Sequence, residues 1–451
     1  MADRSTDRRR LAAAERASGG GPGALRTLAY PAYLVVLLGA MYGFSTAQAL
    51  FRTADPEAVR GWLMTPVALG VPTLAAIAAV LSAWRAGSVR GPVVPPLPWL
   101  DLVVVSSIDR VLSLRLWWRI ALGASLIGCI ALGAMIGFGL WYAAVTGPLA
   151  ALVGIGVGAV MGALIALAWL VGQAGRQIPT GPPVASRLRA MRLEDLRAQS
   201  ARSSRLGGAM LSGDLRAARL EVAAPVTRAR GARLRSQGRW RTVVARDVLG
   251  ARRAPASPVA GAVLLVAGTA LAAVCLVTPA LPGLAAILAA GLLHGGFAGW
   301  AEGMRLQADN SGTPALLGLP PRAEALAHCV LPGAAYLVVA AVVGTGVALG
   351  TGHAPGGVVG WLALMGLLLV GTGQASTFRV TPAIFVSPDP RGRLAWQTVP
   401  FAVTTLAGGL LTARIAVHGL SGELALASVI VVLALAWGWH RVGVRTDEHR
   451  A

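Results

Sequence analysis

Long apolar runs alternate with short arginine-bearing loops along this chain; Val259 to Leu281, for instance, follows directly on Arg246, Arg252 and Arg253. Runs of roughly 20 residues can cross a hydrocarbon core as helices that satisfy their own backbone hydrogen bonds. The pattern predicts about ten such spans, at 30–50, 62–83, 118–142, 148–172, 258–278, 281–301, 326–349, 357–376, 397–417 and 422–440. The expected fold is therefore all-α, a polytopic membrane protein. It divides into a four-span half over 1–174, a basic linker over 175–257 and a six-span half over 258–451.

Composition sharpens this picture. With 55% hydrophobic and 13% charged residues, a chain of 451 residues has too little polar surface to clothe a soluble globule. The net charge is +21, and every basic residue is arginine, a mark of a GC-rich bacterial genome. An even number of spans puts both termini on one side. That side is expected to be the cytoplasm, because only Arg52, Arg60 and Arg414 fall outside or near the outer ends. The arginines are thus loop charges facing an anionic leaflet of the cell membrane, not a nucleic-acid site, since no zinc spacing or aromatic-interleaved basic module accompanies them. Cys129, Cys275 and Cys329 lie in or at the ends of apolar runs and read as packing residues. The first run follows a long basic arm and exceeds a signal peptide's core; despite Ala47-Gln48-Ala49 it reads as an uncleaved span.

The linker from Gly175 to Ser257 ends in a helical pattern. Trp240, Val243, Val244 and Val248 form an apolar stripe opposed by Arg239 and Arg246 and interrupted by Asp247, which predicts an amphipathic helix lying on the membrane surface. The alternative is a solvated loop. Short outer loops such as Thr278 to Gly283 close hairpins and leave no external domain.

The absence of lysine excludes a P-loop ATPase, whose lysine must reach the terminal phosphates. No H-E-x-x-H, no G-x-S-x-G and no close acidic pair within a span points to an enzyme, and no motif calls for a cofactor or metal. Two loops carry more specific signals. After the sixth span, Glu302, Arg305 and Asp309 form a charged ladder at i, i+3 and i+7, ended by Asn310, Gly312 and Pro314. Leu316-Leu317-Gly318-Leu319-Pro320-Pro321-Arg322 then makes an apolar, proline-stiffened knob, read either as exposed for a partner's cleft or as an ordinary loop under the headgroups. Between the second and third spans, Pro92, Pro95, Pro96 and Pro98 precede Trp99, and Asp109 and Arg110 lead back into the membrane, as if the halves were diverged repeats.

Over roughly residues 232–445 an amphipathic elbow helix, two spans, a cytoplasmic loop and four further spans follow in order. In this the chain resembles the permease subunits of ABC-2-type exporters, particularly the large actinobacterial type. The resemblance implies that the first cytoplasmic loop couples to a cytoplasmic ATP-binding subunit through Asp309, Leu319, Pro320, Pro321 and Arg322, with Glu302 and Arg305 in the ladder behind them. The loop from Arg379 to Arg393 is a further docking candidate, and Asp109 and Arg110 are the counterpart in the first half. That half has four spans where the family has six, which leaves room for a homodimer. Two other readings stand beside it: a secondary transporter, for which no acidic coupling-ion site lies clearly within a span, and a non-transport membrane scaffold or enzyme. Within the spans, Tyr42, Ser45, Gln48, Tyr142, His294, Gln374 and Arg414 are the polar residues open to a substrate role.

Overall fold

The structure is a computed structural model that describes residues 4–17, 56–64, 66–175, 183–211, 221, 228–229, 231–234, 238–279, 281, 283–311, 313, 317–379 and 390–448. Among these residues every regular element is helical. Seven helices among the described residues are long and apolar enough to cross a membrane, and the chain is a multi-pass membrane protein on that ground. It folds as two compact units, Met1–Val222 and Ala223–Ala451.

The first unit contains α1 (Arg4–Ala17), α2 (Pro56–Leu63), α3 (Pro66–Val89), α4 (Arg110–Tyr142), α5 (Leu149–Ala174), α6 (Pro183–Ala190) and α7 (Leu193–Leu211). The predicted span 30–50 lies outside the described residues, as do Tyr42, Ser45 and Gln48. The predicted span 62–83 is displaced: Pro66 lacks the N–H a continuing helix needs, so α2 stops short and α3 begins after it. Helices α4 and α5 form a close hairpin. A Cβ at Gly133 would overlap the carbonyl of Gly154, and one at Gly154 would overlap that of Gly133. With Ser125 donating to the Gly162 carbonyl at 2.9 Å, the two backbones themselves make the interface, as small residues permit inside a membrane.

The second unit contains α8 (Arg239–Arg253), α9 (Ala256–Val277), α10 (Gly283–Trp300), α11 (Glu302–Asp309), α12 (Pro321–Gly350), α13 (Pro355–Thr377), α14 (Pro390–Val403), a π-helical turn (Thr404–Gly408) and α15 (Gly409–Glu448). Its core gathers Leu293, Phe297, Tyr336, Trp361 and Met365. Two large aromatics have their polar tips satisfied there: the Tyr336 hydroxyl donates to Leu362 O at 2.7 Å and Trp361 Nε1 donates to Thr412 at 2.9 Å. At the end of α12, Gly352 takes φ of 75°, which lets its N–H reach Leu349 O and that of His353 reach Ala348 O, closing the last turn. Inside α15, Gly419 (φ 76°) breaks the helix where the predicted spans 397–417 and 422–440 divide.

The linker is not a unit of its own. Helices α6 and α7 belong to the first unit and α8 to the second, with the division at Val222 rather than at residues 174 and 257. The reason is apolar burial: Leu188, Met191 and Leu196 of the linker pack with Trp99, Leu100, Val103 and Ile108 of the proline-rich loop in one core.

Candidate functional site

One end of the second unit's bundle brings α8, α11, the connection to α12 and the first turns of α12 together. Helix α8 is amphipathic, as its sequence predicts, but its faces are apportioned differently. Trp240 is 44% exposed on the outer face, with Val244 and Val248 in line at four-residue spacing, whereas Val243 turns inward and is buried. Arg246, expected on the water side, also faces inward, and Asp247 is the anchor of that inner face rather than a flaw in the apolar stripe.

His328 of α12, 1% exposed, sits between them. Its Nδ1 donates to Asp247 Oδ2 at 2.6 Å, and Arg246 Nη2 lies 3.2 Å from its Nε2. That arrangement suits a neutral imidazole, which donates from one nitrogen to the carboxylate and accepts on the other from the guanidinium. Glu324 stands 3.8 Å from Nε2, so two carboxylates and one guanidinium surround one ring. A Cβ at Gly303 of α11 would overlap the Asp247 carboxylate, so glycine is needed for the two helices to approach. The result is a charged clasp that fastens α8 to α11 and α12. Along the sequence Asp247 stands out only as an interruption of the apolar stripe; the signal for its partner is Glu324 and His328, a glutamate and a histidine four apart at the mouth of an apolar run.

The predicted coupling residues lie beside this clasp. Glu302 and Arg305 pair at 3.4 Å along α11, with Asp309 in its last turn, and Asn310 closes that helix by donating from Nδ2 to Leu306 O at 2.7 Å. Gln307 donates to Pro321 O at 2.7 Å, tying α11 to the start of α12. Pro320 is exposed ahead of α12 and Pro321 opens it, where a missing N–H costs nothing. Arg322 is exposed and stacks over Trp439 of α15, 5.3 Å from the ring centroid.

Leu319 departs from expectation. It is 8% exposed, packed with Val243 and Ala327, so it is not a protruding anchor; burial against α8 and α12 removes more apolar surface from water than exposure would. Leu316 lies outside the described residues. Leu319→Ala is therefore expected to destabilise the α8–α12 contact by about 2 kcal/mol, read as a lower midpoint of thermal unfolding in detergent.

Asp109 and Arg110 are held within the first unit. Asp109 caps α4, accepting from Val111 N at 3.1 Å, and pairs with Arg189 at 3.0 Å; Arg110 donates to Met191 O at 2.6 Å. Ser200 donates to Pro95 O at 2.5 Å, and Arg197 pairs with Asp101 at 2.6 Å. The linker helices thus cover the proline-rich loop. Arg110→Ala should raise backbone hydrogen exchange across 183–200 by about tenfold, corresponding to the loss of a charge-assisted bond of about 1.5 kcal/mol.

Of the polar residues singled out within the spans, His294, Gln374 and Arg414 are bonded to their neighbours. His294 Nδ1 lies 2.9 Å from Thr404 Oγ1, Thr404 donates to Thr372 at 2.7 Å and Thr372 donates to Leu368 O at 2.8 Å. Gln374 Nε2 faces Cys329 Sγ at 3.4 Å. Arg414 makes a two-pronged bond to Glu423 at 3.0 and 2.8 Å across the Gly419 break. Tyr142 is 48% exposed beside Trp141. The loop 379–393 falls largely outside the described residues.

No family model, no curated protein and no solved structure matches the chain.

Proposed function

We propose that the chain is the permease subunit of an ATP-driven ABC-type exporter, working with a separate cytoplasmic ATPase. In this reading it has about ten spans in the cell membrane, with both termini, α6, α7 and the clasp end of the second unit in the cytoplasm. What carries the proposal is the build of that end. Glu302 and Leu306 (44% exposed) of the short helix α11, with Pro320 and Arg322 at the start of α12, form a surface braced from behind. Ala308 packs with Ala325, Phe378 and Val442, which belong to α12, the end of α13 and α15. A push on this surface is therefore delivered to several membrane helices at once, because packed interiors transmit displacement. The chain's lack of lysine supports a partner as the source of P-loop ATP hydrolysis.

The test is purification of the chain with a nucleotide-binding subunit. Leu306→Asp and Arg322→Glu should each weaken that association about tenfold or more while leaving membrane insertion intact. ATP turnover by the pure chain alone, or unaltered association of both variants, would overturn the assignment. Orientation has its own check. A single cysteine at exposed Ser204, in a background without the native cysteines, should react with an impermeant maleimide only after the cells are opened.

A further inference from the structure

The outer face of α8 is one wall of an open groove of about 590 Å³, whose other wall is the segment Ala232–Leu234. Trp240, Val244 and Val248 supply its apolar floor, and Arg233, Arg241 and Arg252 stand around it. All three arginines are exposed, and none makes a hydrogen bond or ion pair with a described residue. Among the described residues, no acidic side chain lines the groove. Three uncompensated guanidiniums around an apolar trough favour a ligand with an anionic head and a hydrocarbon body.

The groove's place in the fold narrows the ligand further. Helix α8 ends at Arg253 and the apolar helix α9 begins at Ala256, so the groove sits at the end of a membrane span, at headgroup level. Val259, Val263 and Val266 of α9 are about half exposed, and an acyl chain leaving the groove meets a hydrocarbon-facing surface there. The inner face of the same helix has the opposite character, with Arg246 and Asp247 both bonded to His328 inside the protein. The helix has thus turned its pairable charges inward and left its apolar stripe and unpaired cations outward.

We propose that this groove is a specific site for one anionic phospholipid, its phosphate held by Arg233, Arg241 and Arg252 and its acyl chains lying against Trp240, Val244 and Val248. The site fixes the height of α8 in the bilayer, and through the clasp the height of α11 and the start of α12. The inference rests on the membrane placement of the spans and is independent of any ATPase partner.

Native mass spectrometry of the detergent-purified full chain tests it, with phosphatidylglycerol and phosphatidylcholine supplied in equal amounts. The expected result is retention of one phosphatidylglycerol with a preference on the order of a hundredfold, since each of the three arginines near such a surface contributes a factor of about five. The triple change Arg233→Gln, Arg241→Gln, Arg252→Gln should abolish the preference, and the triple change to lysine should keep most of it, because phosphate accepts a point charge. Val244→Asp leaves the cations in place but spoils the floor, and should also lose the lipid. Equal retention of both lipids, an undiminished preference in the glutamine variant, or displacement by free glycerol 3-phosphate at the lipid's own concentration would each overturn the proposal. The last outcome would identify a soluble phosphate site instead of a lipid site. All the altered side chains are outward-facing, and an unchanged unfolding midpoint of the lysine variant serves as the folding control.

Discussion

Replacing Asp247 with alanine is expected to lower stability by about 3 kcal/mol or more, the largest single effect in the second unit. The carboxylate is buried and receives the 2.6 Å bond from His328 Nδ1. Its removal leaves that N–H without an acceptor and Arg246, whose Nε is already buried without a partner, short of a nearby counter-charge. Asp247→Asn keeps an oxygen for His328 but not the charge, and should cost less. His328→Ala should be costly alone, yet the double change Asp247→Ala, His328→Ala should cost clearly less than the two together, because each single change strands the other's partner. Unfolding midpoints of the purified variants read this out. An Asp247→Ala variant within about 0.5 kcal/mol of the parent, a change ordinary for a surface site, would show that the clasp does not fasten α8. Since α8, α11 and the coupling surface share this clasp, the variant should also weaken ATPase association if that surface is the docking site.

Gly154→Leu is the second large effect, and it lies in the first unit. The two glycines Gly133 and Gly154 meet backbone to backbone, so a side chain at either has nothing compliant to displace; it must push whole helices apart. The loss is expected to be about 3 kcal/mol or more, with much lower yield of folded chain. Gly156→Leu, two residues along the same helix, is the matched control, since a Cβ there meets nothing within 4 Å. Equal yields and unfolding midpoints for the two variants would refute the glycine contact as the determinant of the hairpin.

Much of this architecture could be read along the chain, and the places where it could not share a cause. The apolar runs predict α5, α9, α10 and α13 to within a few residues because a helix in hydrocarbon needs only its own backbone and some 20 apolar side chains, whereas α4 starts at Arg110 rather than 118 and α12 at Pro321 rather than 326, both helices running on past the apolar stretch. The amphipathic α8 is legible for the same reason, its period being local. Leu319 illustrates the other kind of question. Nothing in Leu317-Gly318-Leu319-Pro320 tells an exposed knob from a buried plug; Val243, 76 positions earlier, decides it by offering a surface to bury against. Asp109 and Arg110 were legible as the start of a helix through the N-cap, but not as residues tied to Arg189 and Met191.

The sequence by itself determined that this is a helical protein of the membrane, roughly where its spans run, and that it carries no P-loop lysine, because hydropathy, helix period and residue identity are properties of a segment alone. Tertiary structure decided which face of α8 turns inward, which loop the linker covers and which buried charges meet. Those outcomes depend on partners distant in the chain: Asp247 and His328 are separated by 81 positions, and Arg110 and Met191 by 81 as well. A charge's environment is set by whatever packs against it, and that cannot be computed from its neighbours in sequence.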